Sequence, residues 1–342
     1  MPDRPTTRDL AKAAGVSLAT VDRVLNGRAG VRSKTVEVVN KTIQEIGFQR
    51  NVVAATLARR RAYRFAFVLP LQSGEFIGQL SLRIGEVARA FASEMIEAEV
   101  LTAPEDGPHG LARFLADLSV QAYDGIAIMA PETPHVRDAI RRVEERGIQA
   151  ISFISRQAAA EDIPFVGIDN HAAGATAGEL MGRLISPRQG SVIVLGESFQ
   201  SRDSLERRLG FDRVMGDMFP HLTVLPSLET HGDEGRVRRV ISQVLDARPD
   251  VAGIYVLASE ARLPLTLAAE LGGGRDIQRI AHERTPFTEA ALREGRVEAL
   301  ITQDPGHLVR SAIRTLRARC ENRTTLASQE RIRIEVLLKH NL

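Results

Sequence analysis

The sequence predicts a small α-helical head of the helix-turn-helix type, followed by an α/β body of two doubly wound parallel-sheet subdomains. Three observations carry that prediction. Helical apolar stripes on either side of Gly15 give two short helices joined by a tight turn. From Phe65 onward, continuous apolar runs alternate with helical patterns, which is how parallel strands buried between helices read. Charge is also segregated. Residues 1–61 hold 12 Lys/Arg against 5 Asp/Glu, a surplus of +7, whereas the other 281 residues hold 33 against 38, or −5. A basic head on an acidic body is the footprint of phosphate-backbone binding by one domain.

The head begins at Thr6, which can cap a first helix with Asp9 three residues on as the capping-box acid. Leu10, Ala11 and Ala14 make the apolar stripe, and Gly15 stands where the helix must end left-handed. Ser17 caps a second helix whose inward face is Val21, Val24 and Leu25. Its opposite face carries Leu18, Ala19, Asp22 and Arg23, the placement of a helix that enters a DNA major groove. After the loop from Asn26 to Arg32, Val36, Val39, Ile43 and Ile46 mark a third helix, stopped at Gly47-Phe48. A short alanine-rich stretch, Asn51 to Ala58, then runs into the basic Arg59-Arg60-Arg61.

In the body a first series of strands is expected at Phe65–Leu69, Glu99–Thr102, Gly125–Ala130 and Gln149–Ile154, with helices between them. A second series is expected to start with Phe165-Val166-Gly167-Ile168. It runs through strands at Ser191–Leu195, Leu222–Leu225, Ala252–Leu257, Ile277–Ala281 and Ala299–Thr302 to a helix at Pro305–Arg319 and a terminal strand at Ile332–Leu338. A chain of 342 residues suits two or three domains. No apolar run approaches the ~20 residues of a membrane span, and the polar start Met1-Pro2-Asp3 has no secretory core, so a cytoplasmic protein with no membrane partner is expected. The single Cys320 excludes an intramolecular disulfide framework and suits a reducing compartment. Nucleotide-binding, nucleophile-elbow and zinc-protease motifs are absent from the sequence, so no catalytic residue, cofactor or metal is assigned. His282 beside Glu283 is a conceivable acid/base pair without a nucleophile.

Asp9-Leu10-Ala11, Ala14-Gly15-Val16-Ser17, Ala19-Thr20-Val21, Arg23-Val24-Leu25-Asn26 and Asn51 to Ala58 together resemble the lac-repressor (LacI/GalR) family of bacterial transcription regulators. The resemblance runs the length of the chain. It implies a headpiece over residues 1–50, a hinge helix and linker over 51–61, and an effector-binding and dimerisation domain over 62–342, like the type I periplasmic binding proteins. One lobe would comprise about 62–165 plus 305–325, the other 166–301 plus 330–339. It implies double-stranded operator DNA as a partner, contacted by Ser17, Leu18, Ala19, Thr20, Asp22, Arg23, Asn26 and Arg28, with Asn51, Ala54 and Leu57 from the hinge. Arg23 would read guanine through two hydrogen bonds, and Leu57 would wedge into the minor groove. Asp22 departs from the family, in which serine is usual, and is expected to alter operator preference.

For the body, ligands of open α/β sheets bind beyond the carboxyl ends of the strands. The residues expected there, polar apart from the aromatic Phe76, are Gln72, Phe76, Glu132, Ser155, Arg156, Asn170, Arg202, Arg207, Ser259, Glu283 and Gln303, of which Arg207, Glu283 and Gln303 match effector-binding positions of the family. Carboxylates, amides and Arg forks around an aromatic ring suit a sugar or polyol, and the arginines leave open a sugar acid or phosphate. With no leucine-heptad tail after the last strand, a homodimer is expected. The reading is thus a repressor controlled by a small effector held between lobes. The alternatives are a sugar-binding protein without a transcriptional role, against which the basic head argues, and a sugar-processing enzyme, which would need a catalytic constellation.

Overall fold

The computed structural model describes residues 5–25, 30–46, 48, 62–71, 74–157, 163–198 and 201–342. The head contains α1 (Thr7–Ala13), α2 (Leu18–Leu25) and α3 (Ser33–Glu45). Thr6 and Asp9 form the reciprocal capping box, with the Asp9 N–H donating to Thr6 Oγ1 at 3.3 Å and the Thr6 N–H to Asp9 Oδ2 at 2.8 Å. Gly15 takes φ +63°, and Ser17 Oγ accepts the Thr20 N–H at 3.1 Å to start α2. Leu10, Ala11, Val21, Val39 and Phe48 close over one another as the core of the head. The expected hinge stretch, including Asn51, Ala54 and Leu57, lies outside the described residues, as do Asn26 and Arg28.

The body opens with β1 (Tyr63–Leu69), α4 (Glu75–Phe91), β2 (Ile96–Thr102), α5 (Gly107–Asp117), β3 (Gly125–Ile128), α6 (Pro134–Glu145), β4 (Gln149–Phe153) and β5 (Phe165–Val166). These strands form a parallel five-stranded sheet in the order β2-β1-β3-β4-β5. One expectation is corrected here. Phe165-Val166 does not begin a second sheet but ends the first, paired with Ser152 and Phe153 of β4, and Gly167-Ile168 lie beyond the strand. Two residues are too few to show their partner in sequence; pairing register decides it.

The second lobe holds α7 (Asn170–Ile185), β6 (Gly190–Gly196), α8 (Arg202–Met218), β7 (Leu222–Val224), β8 (Leu228–Glu229), α9 (Glu234–Ala247), β9 (Val251–Val256), α10 (Arg262–Leu271), β10 (Gln278–His282), α11 (Pro286–Arg293) and β11 (Ala299–Thr302). The chain then returns to the first lobe as α12 (Pro305–Cys320), turns through α13 (Ala327–Glu330), and ends with β12 (Glu335–Leu337) in the second sheet. That sheet runs β12-β11-β10-β9-β6-β7, with β8 also beside β6. Its last strand is antiparallel to β11 and shorter than the expected Ile332–Leu338. The body is therefore parallel except at this edge, where the chain enters from the opposite end.

The chain passes between the lobes three times: at 167–169, at Gln303-Asp304 and at 331–334. The apolar core is continuous across those passages. Phe65, Phe67, Leu80 and Ile313 of the first lobe join one cluster with Met181, Phe211 and Tyr255 of the second, and Ile168 and Ile332 on the passages belong to it. Helices α7 and α8 pack backbone to backbone. A Cβ on Gly174 would overlap the carbonyl oxygen of Arg207, and one on Gly210 would overlap that of His171. This close approach sets the depth at which Arg207 leaves α8.

Candidate functional site

Two surfaces answer to the residues singled out in sequence. On the head, Val21 is fully buried while Leu18, Ala19, Asp22 and Arg23 are exposed on the outer side of α2. Leu18 keeps 49% of its surface open, which has no use in the core of the head and suits contact with a thymine methyl. Ser17 and Thr20 are tied to each other, Oγ to Oγ1 at 2.9 Å, so both act first as the cap of α2. Their position at the helix N-terminus also suits a phosphate.

In the body, the strand-end residues converge between the lobes. Arg207 is 1% exposed and spends three N–H groups inside the protein: Nε on Asn170 Oδ1 at 2.9 Å, Nη1 on the Leu257 carbonyl at 2.9 Å, and Nη2 on Glu283 Oε1 at 3.1 Å. Gln303 Nε2 donates to the same Glu283 oxygen at 3.2 Å. Burial raises the Glu283 carboxyl above its usual range, with Arg207 and Gln303 opposing. Glu283 also sits at φ +63°, a conformation that costs a non-glycine residue about 1–3 kcal/mol and persists where its surroundings over-determine it. Ile154, at the head of the Ser155 turn, has φ +63° as well.

Other expected residues bridge the lobes. Arg202 Nη1 of the second lobe meets Glu132 Oε2 of the first at 3.0 Å while its Nε holds Glu206 Oε1 at 2.6 Å. Ser155 Oγ donates to Asp203 Oδ1 at 3.3 Å. Two further bridges come from a residue the sequence reading passed over, Glu75. Its main-chain N–H donates to Glu260 Oε2 at 3.0 Å, and its own carboxylate accepts the Phe287 N–H at 3.0 Å. Glu197 was likewise passed over. It directly follows β6, the same strand-end position that identified the others, so the rule could have found it. Ser259 is half-buried at the end of β9, and Phe76 is buried in the α4 core face. Gln72 lies outside the described residues. Arg156 is not brought to Arg207. It lies over the Phe165 ring at 4.7 Å and lines a separate cavity of about 1030 Å³ beside the passages, with Arg331 and Arg333.

His282 and Glu283 do not form a pair. Adjacent residues leaving a strand point to opposite sides, and His282 Nε2 meets the buried Tyr255 hydroxyl at 2.6 Å while Glu283 turns to Arg207. Burial, with Arg207 nearby, lowers the His282 pKa well below its usual value, so the ring is neutral. Among the described residues, no helix is long and apolar enough to cross a membrane.

Comparison with known proteins places both parts. Residues 65–324 match the periplasmic binding protein domain, and residues 6–51 match the bacterial regulatory proteins of the lacI family. The ribose operon repressor of Halalkalibacterium halodurans is 24% identical over 285 residues, covering 82% of this chain and 81% of the relative. The HTH-type transcriptional regulator AglR of Rhizobium meliloti is 29% identical over 292 residues, covering 81% and 77%. Among solved structures, a periplasmic solute-binding protein of Actinobacillus succinogenes with bound D-allose superposes with a TM-score of 0.73 at 18% identity, over 82% of this chain and 98% of that one. The glucose-galactose binding protein GanP of Geobacillus stearothermophilus gives 0.72 at 17%, over 82% and 99%. These likenesses carry the fold of the body, and the exposed α2 on a basic head carries what the body is attached to. The chain belongs to the lacI family of bacterial regulatory proteins and is a DNA-binding transcriptional regulator with a periplasmic-binding-protein body.

Proposed function

We propose that this regulator is a cytoplasmic homodimeric repressor whose grip on a partly palindromic operator changes when a sugar or polyol binds between its lobes. The observation that carries the effector half is at the cleft floor: Glu283 Oε2 and Gln303 Oε1, on side chains 1% exposed, are buried acceptors without a hydrogen-bond partner among the described residues. Leaving such groups unmatched costs on the order of 1–3 kcal/mol each. Hydroxyl donors would repay both, and relatives and structural neighbours named for ribose, allose and glucose-galactose agree with that chemistry. The cleft binds rather than reacts in this reading, because His282, the histidine beside Glu283, is neutral and turned to Tyr255.

For the DNA half, Arg23 reads base edges, Leu18 and Ala19 touch thymine methyls, and Ser17 and Thr20 hold phosphate and fix register. Asn26, Arg28, Asn51, Ala54 and Leu57 complete the contact set by family resemblance. Helix-turn-helix proteins read two half-sites as dimers, which is why a palindrome is expected. The test is duplex selection from a random pool by the full-length protein, followed by binding titrations at stated salt with and without sugars. A selected palindrome, bound in a salt-dependent manner and modulated by a sugar, is the expected result. Arg23→Ala should cost about 1–3 kcal/mol of discrimination at one base pair of each half-site. Failure to prefer any duplex over random DNA, with or without sugars, defeats the proposal.

A further inference from the structure

The cleft carries more carboxylate than its arginines neutralise. Arg207 answers Glu283, and Arg202 is shared between Glu132 and Glu206. Arg262 is a third, its Nη1 lying 3.9 Å from Glu75 Oε1, and among the described residues all three are thereby spent on the protein itself. Asp203, Glu197 and Glu260 remain. Among the described residues, Asp203 accepts from the neutral Ser155 hydroxyl, and Glu260 accepts the main-chain N–H groups of Glu75 and Arg262 at 3.0 and 3.1 Å. Neutral donors solvate a carboxylate without cancelling its charge. The three acids also feel one another: burial, then the repulsion of Glu260 and Asp203, raises the Glu197 carboxyl, while His231 opposes, and Asp203 adds to the upward shift of Glu283. The floor with its orphan acceptors and the uncompensated acids therefore share one space.

Two independent features point the same way. Glu283 Oε2 and Gln303 Oε1 ask for donors, and Asp203, Glu197 and Glu260 ask for positive charge. An ammonium group is both, a donor with no acceptor lone pair. A carboxylate or phosphate is neither, and would meet the cleft's surplus of negative charge, its arginines being already engaged by the protein's own acids. We propose that the effector carries a protonated amine, as an amino sugar or aminopolyol, and that sugar acids and sugar phosphates are excluded. This rests on the sugar reading above and narrows it.

The test is calorimetric titration of the full-length protein with matched series on the glucose, galactose and mannose rings. Each ring is offered as the 2-amino sugar, the neutral parent and the uronic acid, near neutral pH. On whichever ring binds, the amine is expected about tenfold tighter than its parent, the gain of a charge-assisted over a neutral hydrogen bond, with the acid weakest. Glu197→Gln should shrink that amine-to-parent ratio by several-fold. A neutral parent equal to or tighter than its amine, or an acid binding tightest, overturns the amine proposal and leaves the sugar reading standing. An amine preference undiminished by both Glu197→Gln and Glu260→Gln overturns the assignment to these carboxylates. Binding by no member of any series overturns both readings together.

Discussion

Arg207 shows what a single residue can be asked to do. As a buried cation it must be matched, and it is matched three ways, by an amide oxygen, a carbonyl and a carboxylate. It thereby joins α7, β9 and β10 into one floor. Its candidacy, with Glu283 and Gln303, was legible in sequence because strand-end polar residues of an open sheet are few and the family motif aligns them. The orphaned oxygens were not legible, since which acceptor stays unmatched depends on distances of a few tenths of an ångström. Nor was the partner of His282, because sequence adjacency to Glu283 hides the fact that the two leave the strand on opposite sides. The buried neutral His282 makes stability pH-dependent. Its folded pKa lies well below the ordinary 6.5, so its contribution is complete above pH 6.5 and is lost as acidification drives protons onto the unfolded chain first. Thermal unfolding of the wild type should therefore fall more steeply from pH 7 to pH 5 than that of His282→Gln. Parallel slopes would show that His282 does not set the acid limb.

At the scale of elements, the body's strands were readable because strands covered on both faces are continuous apolar runs, as in Phe65-Ala66-Phe67-Val68-Leu69. Their partners were not. β5 and β8 are two residues each, and the reversed β12 looks in sequence like any other apolar stretch. The contact between α7 and α8 was also hidden, although Gly174, Gly178 and Gly182 recur at helical spacing on α7. Those glycines let the helices approach until side chains have no room, and Gly174 meets the backbone of Arg207 itself. Gly174→Ala should destabilise the protein by about 1–3 kcal/mol through overpacking and weaken effector binding, because α8 must shift and carry the guanidinium with it. Gly216→Ala, on α8 with open space at its Cβ, is the control and should stabilise by roughly 0.5–1 kcal/mol. Denaturant titration and calorimetry on the two variants separate packing from helix propensity. Equal effects would disprove the link between the helix contact and the floor.

At the scale of the molecule, the lobes meet through a few polar bridges at the cleft rim. The Glu132–Arg202 pair is partly exposed, with 22% and 31% of the side chains open, so it adds little to folding. Its effect falls on the balance between open and closed lobes. Glu132→Gln should leave the melting temperature nearly unchanged yet increase the radius of gyration of the ligand-free protein in solution scattering. Effector affinity should drop by the fraction of the closed state that is lost. An unchanged radius together with unchanged affinity would show that the pair is not a latch. The two-lobed plan itself was visible in sequence as two successive strand-helix series. The allocation of Phe165-Val166 was not, because the boundary lies at a passage where both lobes have a use for apolar residues.

The return of α12 to the first lobe has an implication for how the protein is made. When the ribosome has released everything through β11, the first sheet still lacks the helix that covers it with Leu308, Val309, Ala312, Ile313 and Leu316. The second sheet, in turn, still awaits β12. Neither half can finish before the last few dozen residues emerge, so a nascent chain must carry an uncovered apolar face almost to the end of synthesis. Late stop codons would then spare neither half, however distant they lie from the DNA-reading head.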